Sequence, residues 1–173
     1  MLKICYTCHM KNELPDYPLS LALVDLLPVI FFFVATLIVA LRTKSVLFMA
    51  GSCLAFAAGL VQVCWKLIIV LAKKNIWPLH AQMKFVMPLG FLLMLIALVL
   101  MRKNINWSGI VHELLSMPSL LFLILAVLCC VGMIVLAVTL GMKDGAKSQW
   151  IEEGVNVIFQ ASVMMCVLLT NGS

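Results

Sequence analysis

The chain alternates long apolar runs with short polar breaks, and the runs have the length of a membrane crossing. A helix needs about 20 predominantly apolar residues to span the hydrocarbon of a bilayer. Five stretches satisfy this, at 19–41, 46–72, 79–101, 118–140 and 148–170. They predict a single transmembrane domain over 17–173, preceded by a short polar tail at 1–16. Between the third and fourth spans the pattern changes. Trp107, Ile110, Val111, Leu114 and Leu115 fall on one face, against Ser108, His112, Glu113 and Ser116. That stretch is too short and too polar to span, so a brief amphipathic helix lying in the interface is expected over 107–116. The fold class expected is all-α, a polytopic integral membrane bundle of five transmembrane helices plus one interfacial helix.

Composition agrees with the pattern. Hydrophobic residues make up 65% of the 173 and charged residues 11%, with a mean hydropathy of +1.18. A soluble domain holds about 45–50% apolar and about 25% charged residues, and the excess is too large for a buried core in a chain this short. The basic residues cluster at span ends, as Arg42/Lys44, Lys73/Lys74, Arg102/Lys103 and Lys143/Lys147. This is headgroup anchoring and not a nucleic-acid face. Six Lys (Lys3, Lys11, Lys73, Lys74, Lys143, Lys147) lie on the N-terminal side, against four basic residues (Arg42, Lys44, Arg102, Lys103) on the other. The balance favours a cytoplasmic N-terminus, and a plasma-membrane location is expected. The first apolar run is too long for a cleavable signal and lacks a small-x-small site after it, so the first span is expected to be retained.

Polar residues inside the spans carry the functional signal. In the fifth span Gln149, Glu153, Asn156 and Gln160 fall on one narrow face, with Glu152 at its edge. Gln149 to Gln160 covers ~16 Å of helix, about half the hydrocarbon thickness. Such a stripe faces a bundle interior or a water-filled cavity, where Glu153 offers a cation- or proton-binding carboxylate and the amides a polar lining. The competing explanation makes Gln149 to Glu153 the wet end of the helix, with Glu152 complementing the helix dipole. Asp25, Lys66 and Lys84 are the other charges within spans. Each costs roughly 2.5–3.5 kcal/mol at a helix centre unless paired or hydrated. Pairs such as Asp25–Lys66 and Glu153–Lys84 are expected, although both lysines are near enough to a span end to snorkel.

The second span carries Gly51, Ala55 and Gly59 at four-residue spacing, and the same face continues to Gln62 and Lys66. Small residues in this register let helix backbones approach closely, which predicts the best-packed inner helix. Pro28 and Pro88 should kink the first and third spans, freeing the carbonyls of Val24 and Lys84 beside a charge. The segments Pro28-Val29-Ile30-Phe31 and Pro88-Leu89-Gly90-Phe91 repeat at an offset of sixty residues. A duplicated two-helix unit would produce this, but the second and fourth spans do not match.

The seven cysteines are scattered and form no disulfide framework. Cys5-Tyr6-Thr7-Cys8-His9 has the spacing of covalent haem attachment, and its CxxC that of a redox pair or half a zinc site. No second CxxC completes a zinc site, so no cofactor is expected, with haem or zinc at Cys5, Cys8 and His9 as the alternative. The leading expectation is a transport or permeation component for an ion or small polar solute. The ligand-binding set would be Glu153, Asn156, Gln160, Glu152, Asp25, Lys66, Lys84 and Gln62. Beyond the lipid bilayer and that solute, a homodimer or a partner membrane subunit is expected, and no nucleic acid. The alternatives are a membrane-embedded enzyme or redox protein, acting on lipid or through the N-terminal thiols, and an accessory subunit of a larger complex. No catalytic residue can be named.

Overall fold

A computed structural model of the chain describes residues 18–103, 105–139 and 146–170; at 77, 137–139 and 146–148 only the backbone is described. The helices in chain order are α1 (Leu19–Val24), α2 (Leu26–Thr43), α3 (Val46–Ala72), α4 (Trp77–Met101), α5 (Trp107–Leu114), α6 (Ser119–Thr139) and α7 (Ala146–Leu169). Among the described residues there is no strand, and five helices are long and apolar enough to cross a membrane, α1 and α2 together making the first. The protein is an all-α integral membrane bundle. The tail with Cys5, Cys8 and His9 lies outside the described residues.

The first span is interrupted beside Asp25, where the kink is expected. It breaks at Asp25 into α1 and α2 and runs on to Thr43. The break follows from Pro28, which has no N–H for the Val24 carbonyl and whose ring crowds it. In α4, by contrast, Pro88 is carried within a continuous helix. Lys44 then takes a left-handed backbone (φ 50°), and Ser45 caps α3 by accepting the Phe48 N–H at 3.2 Å. The interfacial helix ends earlier than expected, at Leu114. Asn106 caps its start by accepting the Gly109 N–H, and none of its residues is buried.

Helix neighbours run in the order α4, α3, α2, α7, α6, so the last span docks beside the first. Short links make α2, α3 and α4 antiparallel in turn. Arg42 at the end of α2 donates to the Val167 and Thr170 carbonyls at the end of α7, which sets those two helices parallel. Cys166 Sγ donates to the Ser119 carbonyl at the start of α6, which sets α6 antiparallel to α7. The start of α1, the end of α3 and the starts of α4 and α7 therefore share one end of the bundle. Arg42 satisfies carbonyls that have no helical partner, and hydrogen bonds from a charged donor are worth about 1.5–3 kcal/mol. Arg42→Gln is expected to lower stability by about that amount, read as an earlier unfolding midpoint in detergent.

The tightest contact is between α3 and α4. A Cβ placed on Gly90 would lie 2.9 Å from both the Ala55 nitrogen and the Gly51 oxygen, and one on Gly51 would lie 2.8 Å from the Gly90 oxygen. The small-residue series of α3 thus receives a glycine of α4 backbone to backbone. Ser52 donates to Met94 Sδ, and Gln82 Nε2 on α4 donates to the Ala58 carbonyl. On its other side α3 meets α2, where Gly59 faces Val29 and the Phe33 and Phe56 rings stack at 4.1 Å. Helix α3 is the most buried of the spans, as its small residues required.

Candidate functional site: an ion triad between two polar cavities

Three charges from three helices meet at the shared end. Lys66 Nζ, a turn and a half before the end of α3, lies 2.8 Å from Asp25 Oδ2 and 2.8 Å from Glu153 Oε1. The side chains of Lys66, Asp25 and Glu153 are 12%, 12% and 14% exposed. Asp25 is delivered by the α1–α2 break. Lys66 is delivered by the face that begins with Gly51, and Glu153 by the stripe of α7. The Asp25–Lys66 pair matches the expectation from the sequence. The Glu153–Lys84 pair does not: Glu153 bonds Lys66, and Lys84 is exposed on α4. Nor does Lys66 snorkel, because two carboxylates within bonding distance hold it inward. The reason is geometric: α7 packs against α2, across the bundle from α4, so its carboxylate meets the α3 lysine first.

Two cavities flank the triad. The outer one, about 210 Å³, is lined by Leu21, Lys66, Gln149, Glu152 and Glu153. The inner one, about 130 Å³, lies between the first, second, third and fifth spans, and its polar wall is Asp25, Gln62, Asn156 and Gln160. Its remaining surface is largely apolar and includes Phe32, Phe91, Met83 and Met87. The α7 stripe thus divides: Gln149, Glu152 and Glu153 serve the outer cavity, Asn156 and Gln160 the inner. Lys66 lines one cavity and Asp25 the other, so their bridge runs between the two.

Gln62 is held from α4. Its Nε2 lies 3.3 Å from His80 Nδ1. The His80 ring packs against Trp65 at 4.6 Å, and Trp65 Nε1 donates to Asn75 Oδ1 at 3.1 Å. Gln62 is thereby oriented by a chain of contacts reaching the α3–α4 link. Its Oε1, like Gln149 Oε1, is buried with no hydrogen-bond partner among the described residues.

Of the sequence-predicted residues, Asp25, Lys66, Gln62, Glu152, Glu153, Asn156 and Gln160 all border one of the two cavities, and Lys84 borders neither. The sequence reading missed the apolar half of the inner wall. Phe32, Phe91, Met83 and Met87 resemble any other apolar residue of a span, and no spacing separated them from lipid-facing neighbours. The Gln62–His80 contact was hidden too, because it joins two spans that no spacing in the sequence pairs.

A larger cavity of about 520 Å³ opens at the other end, beneath α5 and beside Val39, Met101, Ile110 and Val167. Its lining is mainly apolar, and its Arg42 is engaged by α7 carbonyls. Among the described residues, no group of three or more His, Cys, Asp or Glu side chains is arranged to hold a metal ion. Comparisons with protein-family models, curated proteins and solved structures find no match to this chain.

Proposed function

We propose that the protein moves a small polar solute or ion across the bilayer, as a transporter or permeation component. The observation that carries this reading is the inner cavity, which places a carboxylate and three side-chain amides between four membrane-spanning helices. Polar groups at that depth are costly unless they line a water-filled or ligand-filled space. Solute arriving in the outer cavity meets the Lys66–Asp25 bridge, and exchange of that bridge admits it inward. The excess of lysine on the N-terminal side of the membrane supports a cytoplasmic outer cavity.

An osmotic assay on proteoliposomes tests this. Urea, glycerol, acetamide, methylammonium chloride and potassium chloride are presented in turn, and vesicle reswelling is followed by light scattering. At least one solute is expected to equilibrate faster than in empty vesicles. Asn156→Leu/Gln160→Leu, which replaces the amide wall with apolar bulk, should return the rate to that of lipid alone while the protein stays folded. Rates equal to empty vesicles for every solute would remove the reading.

A further inference from the structure

Both cavities have polar walls. Gln62 borders the inner cavity and Gln149 the outer, and among the described residues nothing donates to the buried Oε1 of either. Asp25 adds a carboxylate to the inner wall, and Glu152 and Glu153 add two to the outer. Among the described residues, the cationic side chain bordering these cavities is Lys66, already shared between Asp25 and Glu153. The inner-wall amides of Gln62, Asn156 and Gln160 both donate and accept, so the group there that selects by charge is the Asp25 carboxyl.

The rest of the inner wall narrows the choice. Phe32 and Phe91 meet edge to face with ring centroids 5.5 Å apart, and Met83 and Met87 supply polarisable sulfur. Aromatic faces attract cations through the ring quadrupole. A hydrated inorganic ion gains little from such a wall, whereas an alkylammonium matches it with both its charge and its carbon. Size sets an upper limit: a cavity of about 150 Å³ holds a six-carbon ring, and this one is about 130 Å³.

Charge gives the same answer. The triad holds two carboxyl groups against one amine, a composition that suits a further cation and not an anion. Lys84 is exposed on α4 and borders neither cavity.

We infer that the inner cavity binds a small protonated amine of about six non-hydrogen atoms or fewer, which takes the place of the Lys66 ammonium on Asp25. Lys66 then stays with Glu153 alone, at the distance it already has. The ligand ammonium gains the Asp25 carboxylate beside the amides of Gln62, Asn156 and Gln160, and its carbon lies against Phe32, Phe91 and the methionines. This inference rests on the proposed solute-binding role and names the class of solute.

The test is binding to the full-length protein in nanodiscs, by calorimetry at constant chloride concentration. The probes are methylammonium, ethylammonium and propylammonium, with acetamide and ethanol as neutral counterparts, acetate as an anion, and sodium and potassium as inorganic cations. The alkylammonium ions are expected to bind, and Gln62→Leu and Asn156→Leu each to weaken them tenfold or more. Lys84→Met, outside both cavities, should leave the affinity unchanged. Gln62→Leu and Asn156→Leu keep the triad intact and so avoid the folding defect expected of triad variants. Acetamide binding as well as methylammonium would overturn the amine assignment and leave the transport reading standing. Sodium or potassium binding at the same site and strength would do likewise. Amine binding that ignores Gln62→Leu and Asn156→Leu would overturn the assignment to this cavity. Absence of binding by every probe, together with proteoliposome rates equal to lipid alone, would remove both.

Discussion

Lys66→Met is expected to be the most destabilising single substitution in the bundle, at about 3–5 kcal/mol, the range found when one partner of a buried ion pair is removed. Lys66 bonds two carboxylates at 2.8 Å each. Its loss leaves Asp25 and Glu153 facing one another with no cation between them, inside a membrane-spanning bundle. The interaction is expected to be strongly non-additive. Adding Asp25→Asn and Glu153→Gln to Lys66→Met removes the stranded charges, so the triple variant should recover most of the stability while losing solute binding. Unfolding midpoints in detergent for the single and triple variants supply the comparison. A triple variant no more stable than Lys66→Met would show that Lys66 matters through packing and not through charge.

The second large effect is expected at the α3–α4 seam. Even alanine at Gly90 would bring a methyl to 2.9 Å from backbone atoms of Gly51 and Ala55, which cannot rotate away as a flexible side chain would. The helices must separate, and overpacking of this kind costs about 1–3 kcal/mol. Gly90→Val should cost more than Gly90→Ala. Both should also lower solute binding, because the same separation stretches the Gln82 bond to Ala58 and the Gln62 contact with His80. Gly132→Ala provides the comparison, since a Cβ at Gly132 meets nothing within 4 Å. Equal stability of the Gly90 and Gly132 variants would show that the seam tolerates more room than its backbone contact implies.

Much of this fold is legible in the sequence because lipid imposes a simple rule. Backbone groups must bond within the segment, so long apolar runs become helices. The spans, the interfacial helix after Asn106 and the small-residue face of α3 follow directly. The order of the helices does not. Nothing in a list of apolar runs says that α7 inserts beside α2, because that choice depends on side chains meeting across the bundle, such as Arg42 with the end of α7. The same gap explains the candidate site. Polar residues within spans are rare enough to be conspicuous, and the Asp25–Lys66 pair was predictable from charge alone. The partner of Glu153 was not, because choosing between Lys66 and Lys84 requires knowing which helix α7 faces. The division of the α7 stripe into two cavities was equally hidden, since helical periodicity places residues on a face and says nothing of what stands opposite.

Access to the inner cavity tests the account most directly. In a variant whose seven cysteines are replaced, a single cysteine is placed at Asn156, or at Gln149 as the outer reference. Labelling by a small cationic thiosulfonate is then followed in sealed proteoliposomes. Both positions are expected to label from the same side of the membrane, Asn156 more slowly, and methylammonium should protect Asn156 more than Gln149. Rapid labelling at Gln149 with none at Asn156 would contradict the account: the inner cavity would be sealed, and the polar stripe of α7 would be holding helices together without admitting a solute.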